Sequence, residues 1–340
     1  MKQSLLVHPS NNPTFNIGDY IQAIAAAQFF PSADFLYIDR ENLVNYDGDD
    51  TAMIMNGWFM FSKNWPPSSK ITPHYIAFHI NSSADTVLLS EKSISHLKKY
   101  EPIGCRDLRT RDILIEKGVD AYFSGCLTLT LGQTYQNKGD GSGYYIVDPI
   151  IEPKKTISAL LSYLWTGISK TKRILHIYNK AKNHSIMSFI KTIIFYNQYS
   201  KIISDEILLN AEYPSVYVKN NFANEREKFD CAKHFLECYS KAKLVITSRI
   251  HCQMPCIAMN TPVLFLKNTY DIKSSTCRFG GLINLYNTIN YEKGDFSSED
   301  IDLTRKINLN TKVVNKNNHQ KIVEELKNSC IAFIKKSFSN

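Results

Sequence analysis

The stretch KLVITSRIHCQMPCIAMNTPVLFL, residues 243 to 266, places an arginine, a histidine and two cysteines within eight residues, between two apolar runs that read as buried strands. Arg249 offers a planar fork suited to a carboxylate or phosphate. His251, two residues on, can move protons near neutral pH. Taken singly, Arg249 could close an ion pair and His251 could be a packing histidine; together at a strand end, with Ser248 in the same turn, they make a workable anion-binding and proton-transfer pair. Proline is tolerated best in the first turn of a helix, so Pro255 predicts a helix that starts near His251 or Cys252, or one that kinks. The turn before it then combines Arg249 with free N–H groups at a helix N-terminus. Cys252 and Cys256, like Cys231, His234 and Cys238, have helical spacing, but no matching Cys/His pair completes a zinc set. Free cysteines behave as small buried hydrophobes, and no metal is expected.

Elements on both sides must hold that turn. From the N-terminus, β-rich runs alternate with helix-length segments (SLLVHP, DYIQAIAAAQFF, DFLYID, TAMIMNG, HYIAFHI), the pattern of parallel α/β units. It stops at the polar, Gly-rich GQTYQNKGDGSG, resumes at YYIVD, and repeats in the second half, so that stretch is the expected hinge. The expectation is an α/β protein of two Rossmann-like domains facing a cleft: residues 1–135, joined by a C-terminal helix over 315–338, and residues 143–290. Open α/β sheets bind ligands at the C-terminal ends of their strands, so the two domains would present such ends to each other. The C-terminal helix could pack on the first domain or lie on a membrane surface. GDGSG precedes its strand, whereas a dinucleotide fingerprint follows one, so it is set aside.

At 340 residues and 44% hydrophobic content the chain can fill two cores. Nothing at the N-terminus reads as a secretory signal, and the eight cysteines form no disulfide framework, which points to the cytoplasm. The best apolar run, SIMSFIKTIIFY, is broken by Lys191 and falls short of the roughly 20 residues of a membrane span. The formal charge of +8 is spread over short lysine clusters, which suits an anionic substrate or the inner membrane surface better than nucleic acid; a Lys- and Asn-rich composition alone would also produce it.

Three stretches, FNIGDYIQAIAAAQFF, GCRDLRTRDILIEKGVDAYFSGCLTLTL and ITSRIHCQMPCIAMNTPVLFL, resemble in order and spacing the landmark regions of the polysaccharide pyruvyl transferase family. The resemblance implies a fold similar to glycosyltransferase type B. It also implies transfer of the enolpyruvyl group of phosphoenolpyruvate, without a further cofactor, to two hydroxyls of a sugar or lipid-linked oligosaccharide. Arg249, Ile250 and His251 match the family's Arg-Leu-His and are implied to contact phosphoenolpyruvate, while Arg106 and Asp107 match its Arg-Asp. Residue chemistry agrees, since two cationic groups on opposing walls would hold a carboxylate and a phosphate. Asn16, Gly18 and Asp19 occupy another ligand-facing turn. There Gly18 permits close approach, and Asp19 could cap the helix, bind a sugar hydroxyl or act as an acid; Asp107 could likewise cap or catalyse. Arg278 is a further candidate anion contact. Gly125 and Cys126 stand where many members carry Asp-Pro, so no acidic role is expected there. The rival readings are a nucleotide-sugar glycosyltransferase of the same fold type and a non-catalytic glycan-binding relative.

Overall fold

A computed structural model describes residues 1–8, 13–59, 65–139, 141–181, 187–269 and 279–338. Two main sheets carry the chain. The first is parallel, with Leu36–Asp39, Lys2–Val7, Thr51–Ile54 and Ile71–His74 as neighbours in that order. The second orders Gly143–Val147, Ala242–Thr247, Val263–Asn268 and Thr288–Glu292 in parallel and ends on an antiparallel strand, Asp295–Ser297. Short parallel pairs, Trp58–Phe59 with His79–Ile80 and Ile103–Cys105 with Ala121–Phe123, extend the first half. The protein is therefore mixed α/β with several parallel sheets, as the alternation of strand-like and helix-like runs predicts.

Successive strand residues point to opposite faces, and the burial follows that rule. Leu5 and Val7 face one hydrophobic cluster and Leu6 another; Val245, Val263 and Phe265 face the first, while Leu244, Ile246, Leu264 and Leu266 face a third. The middle cluster is common to both halves. It joins one face of each sheet through the helices Ile17–Ala27, Glu225–Ser240 and Ile250–Ala258. A two-stranded antiparallel ladder, Thr14–Asn16 with Tyr217–Lys219, also crosses between the halves, continued by Ile17 N–H donating to Val216 O at 2.8 Å.

The Gly-rich segment read as a hinge is fastened to the second half. A Cβ on Gly132 would lie 2.1 Å from the Ala258 carbonyl oxygen, and Asn137 donates to Ala242 O at 2.8 Å. The helix Gln320–Phe338 buries Leu326, Cys330 and Ile334 in the middle cluster. It also stacks Phe333 on His74 and bonds Ser329 Oγ to His74 Nε2 at 3.0 Å, so its apolar stripe lies against the first sheet. None of the helices among the described residues is long and apolar enough to cross a membrane.

Candidate active site

The turn after the strand Ala242–Thr247 is built as its residue types suggest, with one adjustment. The helix runs Ile250–Ala258 with Arg249 as its N-cap, so His251 is its second residue and Pro255 its sixth, one or two residues deeper than expected. The chain starts the helix early because Arg249 O accepts from both Cys252 N (3.2 Å) and Gln253 N (2.9 Å). Pro255 then leaves the His251 carbonyl without its helical amide donor. Cys252 and Cys256 point into the core, and among the described residues no three His, Cys, Asp or Glu side chains converge as metal ligands.

A cavity of about 70 Å³ opens at this turn, lined by Asn16, Gly18, Trp58 and Arg106 from the first half and by Val216, Tyr217, Ser248, Arg249, Ile250 and His251 from the second. Seven of the sequence-derived site residues thus meet at one place. A larger recess of about 650 Å³ lies at the opposite, N-terminal ends of the second sheet's strands; among the described residues its charged lining is Lys243 and Lys312.

Arg249 is held from behind. Its Nε donates to Asp148 Oδ2 at 3.0 Å and its guanidinium lies 5.2 Å from the Tyr217 ring centroid. Asp148 ends the strand Gly143–Val147 with φ +46°, and it also accepts Val216 N–H on Oδ2 and the Ser248 hydroxyl on its carbonyl. Because the ion pair uses Nε, the two terminal nitrogens of Arg249 are left for a ligand. Ser248 is accordingly a brace of the turn as well as a wall of the cavity.

Arg106 is 1% exposed, and no acidic side chain lies within ion-pair distance of it among the described residues. Its Nε has no hydrogen-bond partner among the described residues. A buried guanidinium that borders a cavity and lacks a counter-ion in contact can receive an anion at little further cost, since an unpaired buried charge is already costly. Its nearest compensation is Asp107, which is fully buried and points away. Asp107 caps the helix Leu108–Glu116 by accepting Thr110 N–H at 3.0 Å, and it is bonded to His79 Nδ1. Burial alone would raise the Asp107 carboxyl, but the His79 bond, the Arg106 charge and the Thr110 amide bring it below its ordinary value. Asp107 therefore takes the capping role and does not line the cavity.

His79 escaped the sequence reading; its only signal was a histidine in the run HYIAFHI. Burial and the Arg106 charge lower its imidazole to about 4 against the pull of Asp107, so the ring is neutral at pH 7 and gives its Nδ1 hydrogen to the carboxylate. Its Nε2 has no partner among the described residues. His74 is likewise lowered to about 4 by burial. Both protonate near 6.5 when unfolded but stay neutral when folded, so the unfolded state binds more protons as pH falls from 6.5 toward 4 and stability is lost through that window. Each histidine contributes a slope of roughly 1.4 kcal/mol per pH unit. Burial lowers His96 to about 4 as well, so denaturant unfolding at pH 6.5 and 5.5 should show this loss, and His74→Asn should remove about a third of it; equal stability at the two pH values contradicts it.

Asn16 caps the helix Ile17–Ala27, its side chain accepting from Gly18 N–H at 3.0 Å. Gly18 permits a close approach, as expected, but the group approaching is His251: a Cβ on Gly18 would lie 2.9 Å from His251 Nδ1 and 3.1 Å from its Cβ. Asp19 lies outside this cavity. It faces Arg40 at 3.4 Å in a separate recess with His8, Asn56 and Gly57, because the helical turn from Gly18 carries it to the other side. Arg278 lies outside the described residues. Asp148, Trp58 and Tyr217 are the lining or bracing groups that sequence reasoning missed.

The crystal structure of a functionally uncharacterised protein from Klebsiella pneumoniae is similar at 14% identity and a TM-score of 0.41, over 85% of this chain and 93% of that one. No curated protein matches the sequence. The family model of polysaccharide pyruvyl transferase matches residues 16–270, a span that runs from the Asn16 cap past the Arg249–His251 turn. By that match over most of its length, the chain belongs to the polysaccharide pyruvyl transferase family.

Proposed function

We propose that the protein transfers the enolpyruvyl group of phosphoenolpyruvate to two hydroxyls of one sugar in a surface-glycan precursor, forming a cyclic pyruvate ketal and releasing phosphate. The observation that carries this reading is the meeting of Arg106, buried without a contacting carboxylate, with Arg249, whose terminal nitrogens are free of Asp148, across one cavity bordered by His251. A donor with an anionic group at each end fits two such cations. In the first step a proton adds to the vinyl CH₂, which becomes CH₃, and a sugar hydroxyl oxygen bonds to the adjacent carbon. In the second, the carbon–oxygen bond to phosphate breaks and the neighbouring hydroxyl oxygen takes its place. Of the two hydroxyl protons, one balances the methyl group and the other leaves with phosphate. His251 is the group on the cavity wall able to pass both.

Incubation with phosphoenolpyruvate and a panel of glycosides, scored for phosphate release, tests the reading against a glycosyltransferase. Release that depends on both substrates is expected; nucleoside diphosphate release from a nucleotide sugar, with phosphoenolpyruvate inert, contradicts it. The packing of Gly18 on His251 gives a second check. Gly18→Ala must push His251 aside, and a misplacement on the order of 1 Å can cost about 100-fold, so kcat should fall about 10- to 100-fold with little change in melting temperature. An unchanged kcat would remove His251 from the chemistry.

A further inference from the structure

The helix Ile157–Ser169 is turned the wrong way for a water-facing helix. Its inner face is small or polar: Tyr163 is buried, Gly167 meets Ile193, and Asn197 on the helix Phe189–Tyr199 donates to Ser162 Oγ (2.9 Å) and Thr166 Oγ1 (2.8 Å). Its outer face carries Ile157, Leu160, Leu161, Leu164, Trp165 and Ile168, a row at spacings of three and four residues in which every side chain is between 53% and 79% exposed. The largest apolar patch of a typical monomer is about 300–600 Å² and is often functional. Six large side chains in one continuous row over three helical turns need an explanation of that kind.

Charge identifies the occupant. Between Glu152 and Asp205 the chain has no acidic residue and nine Lys or Arg. Lys154 and Arg173 are paired with Asp295 and Asp205, but Lys155 at one end of the row and Lys170 and Lys172 at the other are exposed with no ion-pair partner among the described residues. An apolar row containing a tryptophan, with lysines at both ends, matches a helix lying in the plane of a lipid interface, its lysines reaching the headgroups. A second copy of this chain fits poorly, because facing rows would bring two uncompensated basic segments together.

We infer that the helix Ile157–Ser169 docks the protein on the surface of a bilayer containing anionic lipid. The inference uses none of the chemistry proposed for the cavity, and its success or failure leaves that chemistry untouched. The full chain should co-sediment with vesicles of phosphatidylcholine containing about 30% phosphatidylglycerol and much less with phosphatidylcholine alone. The double variant Leu164→Ser with Trp165→Ser should lower partitioning at least about tenfold at unchanged melting temperature, since both positions are exposed. Lys155→Gln, Lys170→Gln and Lys172→Gln combined should reduce the preference for anionic lipid on the order of a hundredfold. No partitioning of the native protein, equal partitioning of the Leu164/Trp165 variant, or a dimer that this variant dissolves would each overturn the inference.

Discussion

Arg106→Met should abolish useful donor binding while leaving the fold intact or firmer. The methionine fills nearly the same length of cavity wall without a charge, and an arginine buried with no contacting carboxylate is a burden on the empty protein. Removing one partner of a buried charge-assisted contact costs roughly 2–5 kcal/mol, so the Kd for phosphoenolpyruvate should rise about 30- to 5,000-fold by calorimetry. The melting temperature should hold or increase, because Asp107 keeps the bonds from His79 and Thr110 that satisfy it. A Kd within threefold of the native value would show that Arg106 is not a donor ligand. Loss of binding with a collapsed melting curve would show that it is a structural ion.

His251→Gln should separate chemistry from binding. Glutamine keeps polar atoms near the ring's place on the second residue of the helix but cannot cycle a proton near pH 7. General acid–base catalysis is worth about 100- to 10,000-fold, and kcat should fall by that order with the donor Kd changed far less. If binding is lost and residual turnover at saturation is normal, His251 is a binding group. The Nε2 of His79, a ring that feels the Arg106 charge and has no partner on that atom among the described residues, would then be the next atom to test.

What the sequence made legible and what it did not follow one physical division. The SRIH turn could be read because strand, cap and helix are local: the apolar run ends, Arg249 cannot continue it, and the helix opens at once. First-turn preference for Pro255 puts the helix start too late, whereas Ile250–Ala258 tolerates the proline in its second turn inside a packed cluster. Gly18 was legible as a close approach but not as an approach by His251, a residue 233 positions away. Asp148, Trp58, Tyr217 and His79 were hidden for the same reason. Each depends on a pairing between distant segments, such as the ladder joining Thr14–Asn16 to Tyr217–Lys219, or on strands of only two residues at Trp58 and His79. The two carboxylates given catalytic roles, Asp19 and Asp107, were separated from the cavity by helix geometry, which turns one toward Arg40 and uses the other as a cap.

The account stands most directly on the product formed in deuterated water from phosphoenolpyruvate and an accepting glycoside. Protonation of the vinyl carbon by a solvent-exchanging group such as His251 predicts a ketal whose methyl carries one deuterium, formed one for one with phosphate and absent with Arg106→Met. Phosphate release with no methyl ketal, or a ketal formed equally well by the Arg106 variant, would contradict it.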